Sequence, residues 1–169
     1  MRRQGALAAA LVPAALASAT LALAASGTIN LITVLAKPLA SAERGKVRVL
    51  VPGRLDGGFT THAAAHLYAP GGRTAGGYDI QLAQAPNCGD ATACMVADFA
   101  GGKGRLAFAA RVTLSKGIVG AFHGISCGAS CAPASIEWLE YGSRYDIQYG
   151  GSESQLVALA DSAITAGPR

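Results

Sequence analysis

The chain has 169 residues, of which 51% are hydrophobic and 14% charged, with 14 Lys+Arg against 10 Asp+Glu and 22 glycines; that is the size of one modest folded domain. So apolar a chain with a net charge of only +4 is not disordered, and glycines without a G-X-Y period exclude collagen. The basic residues are scattered rather than clustered in runs, which argues against a phosphate-neutralising stripe and so against a nucleic-acid partner.

At the N-terminus, Met1-Arg2-Arg3 precedes an uncharged run from Gln4 to Ala36 whose first part, Gly5 to Ala24, is rich in Ala and Leu and ends in Ala22-Leu23-Ala24. A basic start, an apolar stretch and small residues before a cut are the order of a secretory signal, so residues 1–24 are expected to be removed near Ala24. The rival is an uncleaved anchor, because the run exceeds the ~20 apolar residues a spanning helix needs. Pro13 inside the block, and Ser26, Thr28 and Asn30 after it, argue against the anchor; a membrane partner is expected only if the segment stays uncleaved. A second small-x-small site, Ala40-Ser41-Ala42, lies further from the basic start than is usual. Arg2 and Arg3 account for two of the basic residues, so the remainder is close to balanced and net charge does not steer an anionic partner.

Residues 25–45 are expected to be a linker or a short helix within Thr28–Ala36, before Pro38, and residues 46–169 a single domain. Val47, Val49 and Val51 mark a strand over Lys46–Pro52, stopped by Pro52-Gly53. A loop-rich stretch broken by Gly57-Gly58, Pro70-Gly71-Gly72 and Gly76-Gly77 leads to Tyr78, Ile80 and Leu82. These alternate with Asp79, Gln81 and Ala83 in the period of a half-buried strand. Met95–Phe99 is a shorter strand candidate. Leu106, Phe108, Ala110, Val112 and Leu114 alternate most clearly, and Lys116-Gly117 turns the chain into Ile118–Ile125, so residues 105–125 are expected to form a hairpin. Ile136–Tyr141 and Arg144–Tyr149, joined through Gly142-Ser143, form a second hairpin. Ser152 and Gln155 have capping-box spacing, Leu156, Leu159, Ala160, Ala163 and Ile164 fall on one helical face, and Gly167-Pro168 stops the helix. Successive hairpins without β-helix-β alternation, closed by one amphipathic helix, give an α+β class with a mainly antiparallel sheet. No internal repeat is read.

The four cysteines, Cys88, Cys94, Cys127 and Cys131, are an even count in an exported chain and read as two disulfides. Of three pairings, the local one, Cys88 with Cys94 and Cys127 with Cys131, is favoured because each pair brackets a segment rich in turn residues. Zinc is the rival, but the first gap is too wide for the usual ligand pair. No cofactor and no metal are expected.

Chemical motifs fail on context. Gly124-Ile125-Ser126-Cys127-Gly128 matches G-x-S-x-G, yet no helix follows and His62, His66 and His123 all precede the serine, whereas the hydrolase order puts His last. Gly102-Lys103-Gly104-Arg105-Leu106-Ala107 matches G-x-G-x-x-A, but a strand rather than a helix is expected after it. His62 and His66 lack the acidic neighbour of a zinc protease. Glu137 and Glu140 flank Trp138 as in a glycosidase, but residues three apart on a strand face opposite ways; Trp138 and Ile136 should face the core and Glu137 water.

Residues Ile136 to Ile147, with Trp138, Gly142, Tyr145 and Ile147 in a W-x-x-x-G-x-x-Y-x-I hairpin, and the closing helix of Leu156 to Ile164 resemble the C-terminal end of small exported bacterial domains of unknown function. Similar ends occur in extracytoplasmic domains of anti-sigma factors and in relatives of lipoprotein-sorting proteins. The resemblance implies a secreted or envelope β-rich domain without an established catalytic site. The expected function is therefore non-catalytic binding of an envelope ligand or protein, with an extracytoplasmic hydrolase and a membrane-anchored envelope sensor as alternatives.

Overall fold

The computed structural model describes residues 27–59, 67–88 and 92–169. The expected leader and its expected cut near Ala24, and His62 and His66, lie outside the described residues.

Seven strands make one sheet: β3 (Gly71–Arg73), β4 (Gly77–Ala83), β5 (Met95–Gly102), β6 (Arg111–Thr113), β7 (Val119–His123), β10 (Ala134–Glu140) and β11 (Ser143–Tyr149). Their order is β3-β4-β5-β11-β10-β7-β6, and every neighbouring pair is antiparallel. Two further pairs stand apart: β1 (Gly27–Asn30) with β2 (Arg54–Phe59), and β8 (Ser126–Cys127) with β9 (Cys131–Ala132). Successive side chains of a strand alternate between faces, so the register aligns whole rows. Ile80, Phe99, Ile147, Ile136 and Phe122 form one row, and Tyr78, Gly101, Tyr145, Trp138 and Gly120 the next. The large members of both rows are buried, apart from a half-buried Phe122. Gly101 lets the row close: a Cβ there would stand 2.3 Å from the Tyr78 ring, which lies across its backbone. Trp138 and Tyr145 stack with centroids 5.4 Å apart.

Helices cover this apolar face. α1 (Leu31–Val34) is capped by the Asn30 side chain, which accepts from Thr33 N at 3.2 Å, and α2 (Ala36–Ala42) packs over β3 and β4. α3 (Glu153–Ala166) packs over β10 and β11, burying Leu156, Leu159, Ala160, Ala163 and Ile164. Its start carries the reciprocal Ser152–Gln155 capping box and Gly167 ends it, as the sequence leads one to expect. The fold is thus α+β with a mainly antiparallel sheet and a closing helix, stapled by two disulfides, Cys88–Cys94 and Cys127–Cys131. No cysteine among the described residues is free.

The structure corrects several expectations. The short helix before Pro38 forms as α1, but the chain is helical again at once rather than a linker: Pro38 is the third residue of α2, where a missing N–H costs nothing because first-turn donors have no intrahelical partner. Residues 48–52 form no strand and join no sheet. Val49, Leu50 and Val51 are all buried, without the alternation of a strand, and the segment is held instead by the Tyr78 hydroxyl. That hydroxyl accepts from Leu50 N at 3.1 Å and donates to Leu50 O at 2.9 Å. β5 runs on to Gly102, and the turn between β10 and β11 is Tyr141-Gly142, both at positive φ (51° and 74°), as a two-residue hairpin of primed type requires. The largest correction concerns residues 104–110, the best-alternating stretch of the sequence. They belong to no strand, and only Arg111–Thr113 becomes one.

Candidate functional site

Two strands carry the same tetrapeptide: Tyr78-Asp79-Ile80-Gln81 on β4 and Tyr145-Asp146-Ile147-Gln148 on β11. Both copies pair with β5 antiparallel and in the same register, so they run parallel to each other on its two sides. Tyr and Ile enter the core; Asp and Gln therefore share the face away from the helices. There Gln81, Asp98 and Gln148 form one row across the three strands, and Asp79, Ala100 and Asp146 the adjacent row.

All of these residues but Gln81 line a cleft of about 410 Å³. Asp98 and Asp146, 7% and 6% exposed, form its floor, while Asp79, Thr74 and Lys103 stand exposed at its rim. Asp98 and Asp146 are diagonal neighbours on adjacent strands, a relation that sets Cα atoms about 7–8 Å apart. Burial pushes the Asp146 carboxyl above its ordinary value; Arg144 and a hydrogen bond from Gln148 oppose the rise, and Glu137 adds to it. Arg144 reaches Asp146 Oδ2 at 3.3 Å and Glu137 Oε2 at 2.6 Å, so one guanidinium bridges two carboxylates of neighbouring strands.

Glu137 is on the outward face, as its alternation requires, but it is fully buried rather than facing water. The cover is the segment 104–110, which crosses the outer face as a strap. Ala107 N and Phe108 N both donate to Glu137 Oε1, the second at 2.8 Å. The Phe108 ring stacks on His123 with centroids 4.6 Å apart, Arg111 donates to Phe108 O, and Phe122 N donates to Ala110 O at 2.9 Å. A side-chain carboxylate thus takes the amide donors that a neighbouring strand would otherwise receive.

Other sequence candidates fall elsewhere. Ser126 is exposed on β8 and the Cys127–Cys131 bridge follows it directly, so the G-x-S-x-G match is a turn at a disulfide and not a nucleophile elbow. Gly102–Ala107 leads from β5 into the strap and opens no helix. Glu137 and Glu140 do not converge. Sequence reasoning missed Asp98 and Asp146, although each is an Asp between apolar residues at a strand's polar position, and the repeated Tyr-Asp-Ile-Gln could have paired two of the strands. Among the described residues, no group of three His, Cys, Asp or Glu is arranged to hold a metal ion, and no helix is long and apolar enough to cross a membrane. Comparison with protein-family models, curated proteins and solved structures finds no match for this chain.

Proposed function

We propose that this chain is an exported domain that works in the cell envelope or outside the cell by binding a polar ligand on the open face of its sheet. The observation that carries the reading is the pair of short-range disulfides in a chain whose first residues are basic and then apolar: disulfides persist in oxidising compartments, and that N-terminal order is the order of an export leader. The Gln81–Asp98–Gln148 row and its flanking Asp79 and Asp146 supply hydrogen-bonding groups on a face that the helices leave free. The hairpin of Trp138 to Ile147, with its resemblance to exported domains, is in keeping with this.

The test is the intact mass of the protein recovered from outside an expressing bacterium, before and after alkylation without reductant. A mass starting near Ala25 with no alkylation is expected. A full-length, membrane-bound product with four alkylated thiols would overturn the reading and favour an anchored sensor.

One observation favours a second reading, an extracytoplasmic hydrolase: a carboxyl whose proton is held more tightly than usual, Asp146, beside a second carboxyl, Asp98, in one cleft. Turnover in a panel of ester and glycoside substrates that disappears in Asp146→Asn would establish it in place of binding.

A further inference from the structure

We propose a second site, for compact ligands that carry two or more phosphate groups, at the end of the sheet where four basic side chains meet. Arg44 and Lys46 follow α2, Arg73 ends β3 and Lys103 follows β5. Together they line a groove of about 590 Å³ whose lining includes no carboxylate. All four are exposed. The ion pairs among the described residues are those of Arg144 with Glu137 and Asp146, so none of the four is engaged in an ion pair. In a chain whose charges nearly balance overall, such a concentration is local: residues far apart in sequence are gathered by the end of α2, the β3–β4 hairpin and the start of the strap.

Two of the four side chains are held in place. Arg44 donates through one guanidinium nitrogen to Ala40 O at 2.9 Å, leaving its other donors free. The stem of Arg73 lies along the backbone of Gly45, where an added Cβ would be 3.5 Å from its Cγ and Cδ. Guanidinium groups meet phosphate oxygens with paired, parallel donors, and two of them beside two ammonium groups match a ligand with several ionised phosphate oxygens better than a single carboxylate.

The surroundings limit the ligand's length. Lys103, Thr74 and Gly76 also line the cleft of Asp79, Asp98 and Asp146, so a long polyanion continuing past Lys103 would run onto three carboxylates. A compact oligophosphate, free or as the headgroup of a lipid, fits between these limits; a nucleic acid does not. The inference needs neither export nor ligand binding on the sheet face, because it stands on the convergence of these four cations alone.

The experiment is calorimetric titration of the purified full chain with inorganic pyrophosphate at about 50 mM and about 300 mM salt, run beside flotation with phosphatidylglycerol and phosphatidylcholine vesicles. Pyrophosphate binding that weakens at the higher salt is expected, about tenfold or more weaker in Arg73→Gln and in Lys103→Gln and unchanged in Arg105→Gln, an exposed cation outside the groove. Selective flotation with phosphatidylglycerol, lost in the same two variants, supports the site with a lipid headgroup as its source, and pyrophosphate binding without flotation supports it with a soluble one. Thermal midpoints of the variants, and a charge reversal at Lys46→Glu, separate loss of the site from loss of the fold. Neither pyrophosphate nor vesicle binding, or binding that the groove variants leave unchanged, overturns the proposal.

Discussion

Glu137 holds three donors at once: two strap amides on one oxygen and Arg144 Nε on the other. Removing that carboxylate strands two partly buried amides and leaves a half-buried guanidinium with one acid instead of two, the kind of loss that costs more than an average hydrogen bond contributes. Glu137→Ala should therefore lower unfolding free energy by about 2–4 kcal/mol, and Glu137→Gln, which keeps an acceptor for the strap, by about half as much. Urea unfolding at neutral pH checks both, and an alanine variant within experimental error of the parent would sink the idea that the strap is pinned here. Asp146 gives the pH counterpart. Its folded-state pKa is raised above the ordinary 3.8, chiefly by burial, so the folded protein binds this proton more tightly than the unfolded chain does. The stability this proton contributes is fully present below that ordinary value and is lost as pH rises through the folded pKa. Asp146→Asn cannot lose it. The stability of the parent relative to Asp146→Asn should accordingly fall as pH rises from about 4 to 7; a difference that stays flat or grows would contradict the burial argument.

At the level of elements, what sequence could specify was whatever depends on local spacing. The capping box at Ser152 and Gln155, the apolar face of α3, the β10–β11 hairpin and the local cysteine pairs all have partners within a few residues, and all form as spacing predicts, the hairpin with its turn one residue earlier. Residues 104–110 were misplaced because period-2 alternation reports extended backbone and a partly covered side, not which groups receive the backbone hydrogen bonds. Here those groups belong to Glu137, some thirty residues on. The Val49–Val51 segment was misplaced for the same reason, its partner being a tyrosine hydroxyl 28 positions away. The basic groove had no run of charge to announce it. The two disulfides are both local, but their surroundings differ: Cys127 and Cys131 are exposed, whereas Cys88 is only 6% exposed. Mild reduction without denaturant should open Cys127–Cys131 first, as read by alkylation and peptide mass. Because each bridge closes a short loop, replacing either pair by alanine should cost at most about 2–2.5 kcal/mol. Preferential opening of Cys88–Cys94 would mean that its cover is looser than the structure has it.

The molecule as a whole is asymmetric across its sheet. Helices and the buried residues 49–52 seal one face around Ile80, Phe99, Ile147 and Ile136, and the other face carries Asp, Gln and Arg under a single strap. That asymmetry makes the same kind of truncation mean different things on the two sides. Ile147 sits mid-row on the sealed face with no exposure, so Ile147→Ala removes packed volume and should cost about 2–5 kcal/mol. On the outer face Leu139 is 46% exposed and Val119 55% exposed, on neighbouring strands and next to the paired Trp138 and Gly120. Leu139→Ala and Val119→Ala should each cost less than Ile147→Ala, about 1 kcal/mol, because about half of each side chain is already in water. Urea unfolding of the three variants at two protein concentrations tests the layering directly. If the outer-face variants matched Ile147→Ala, and their cost depended on concentration, this face would be buried against another copy of the chain in solution, and a ligand could reach the Gln81–Asp98–Gln148 row only after those copies separate.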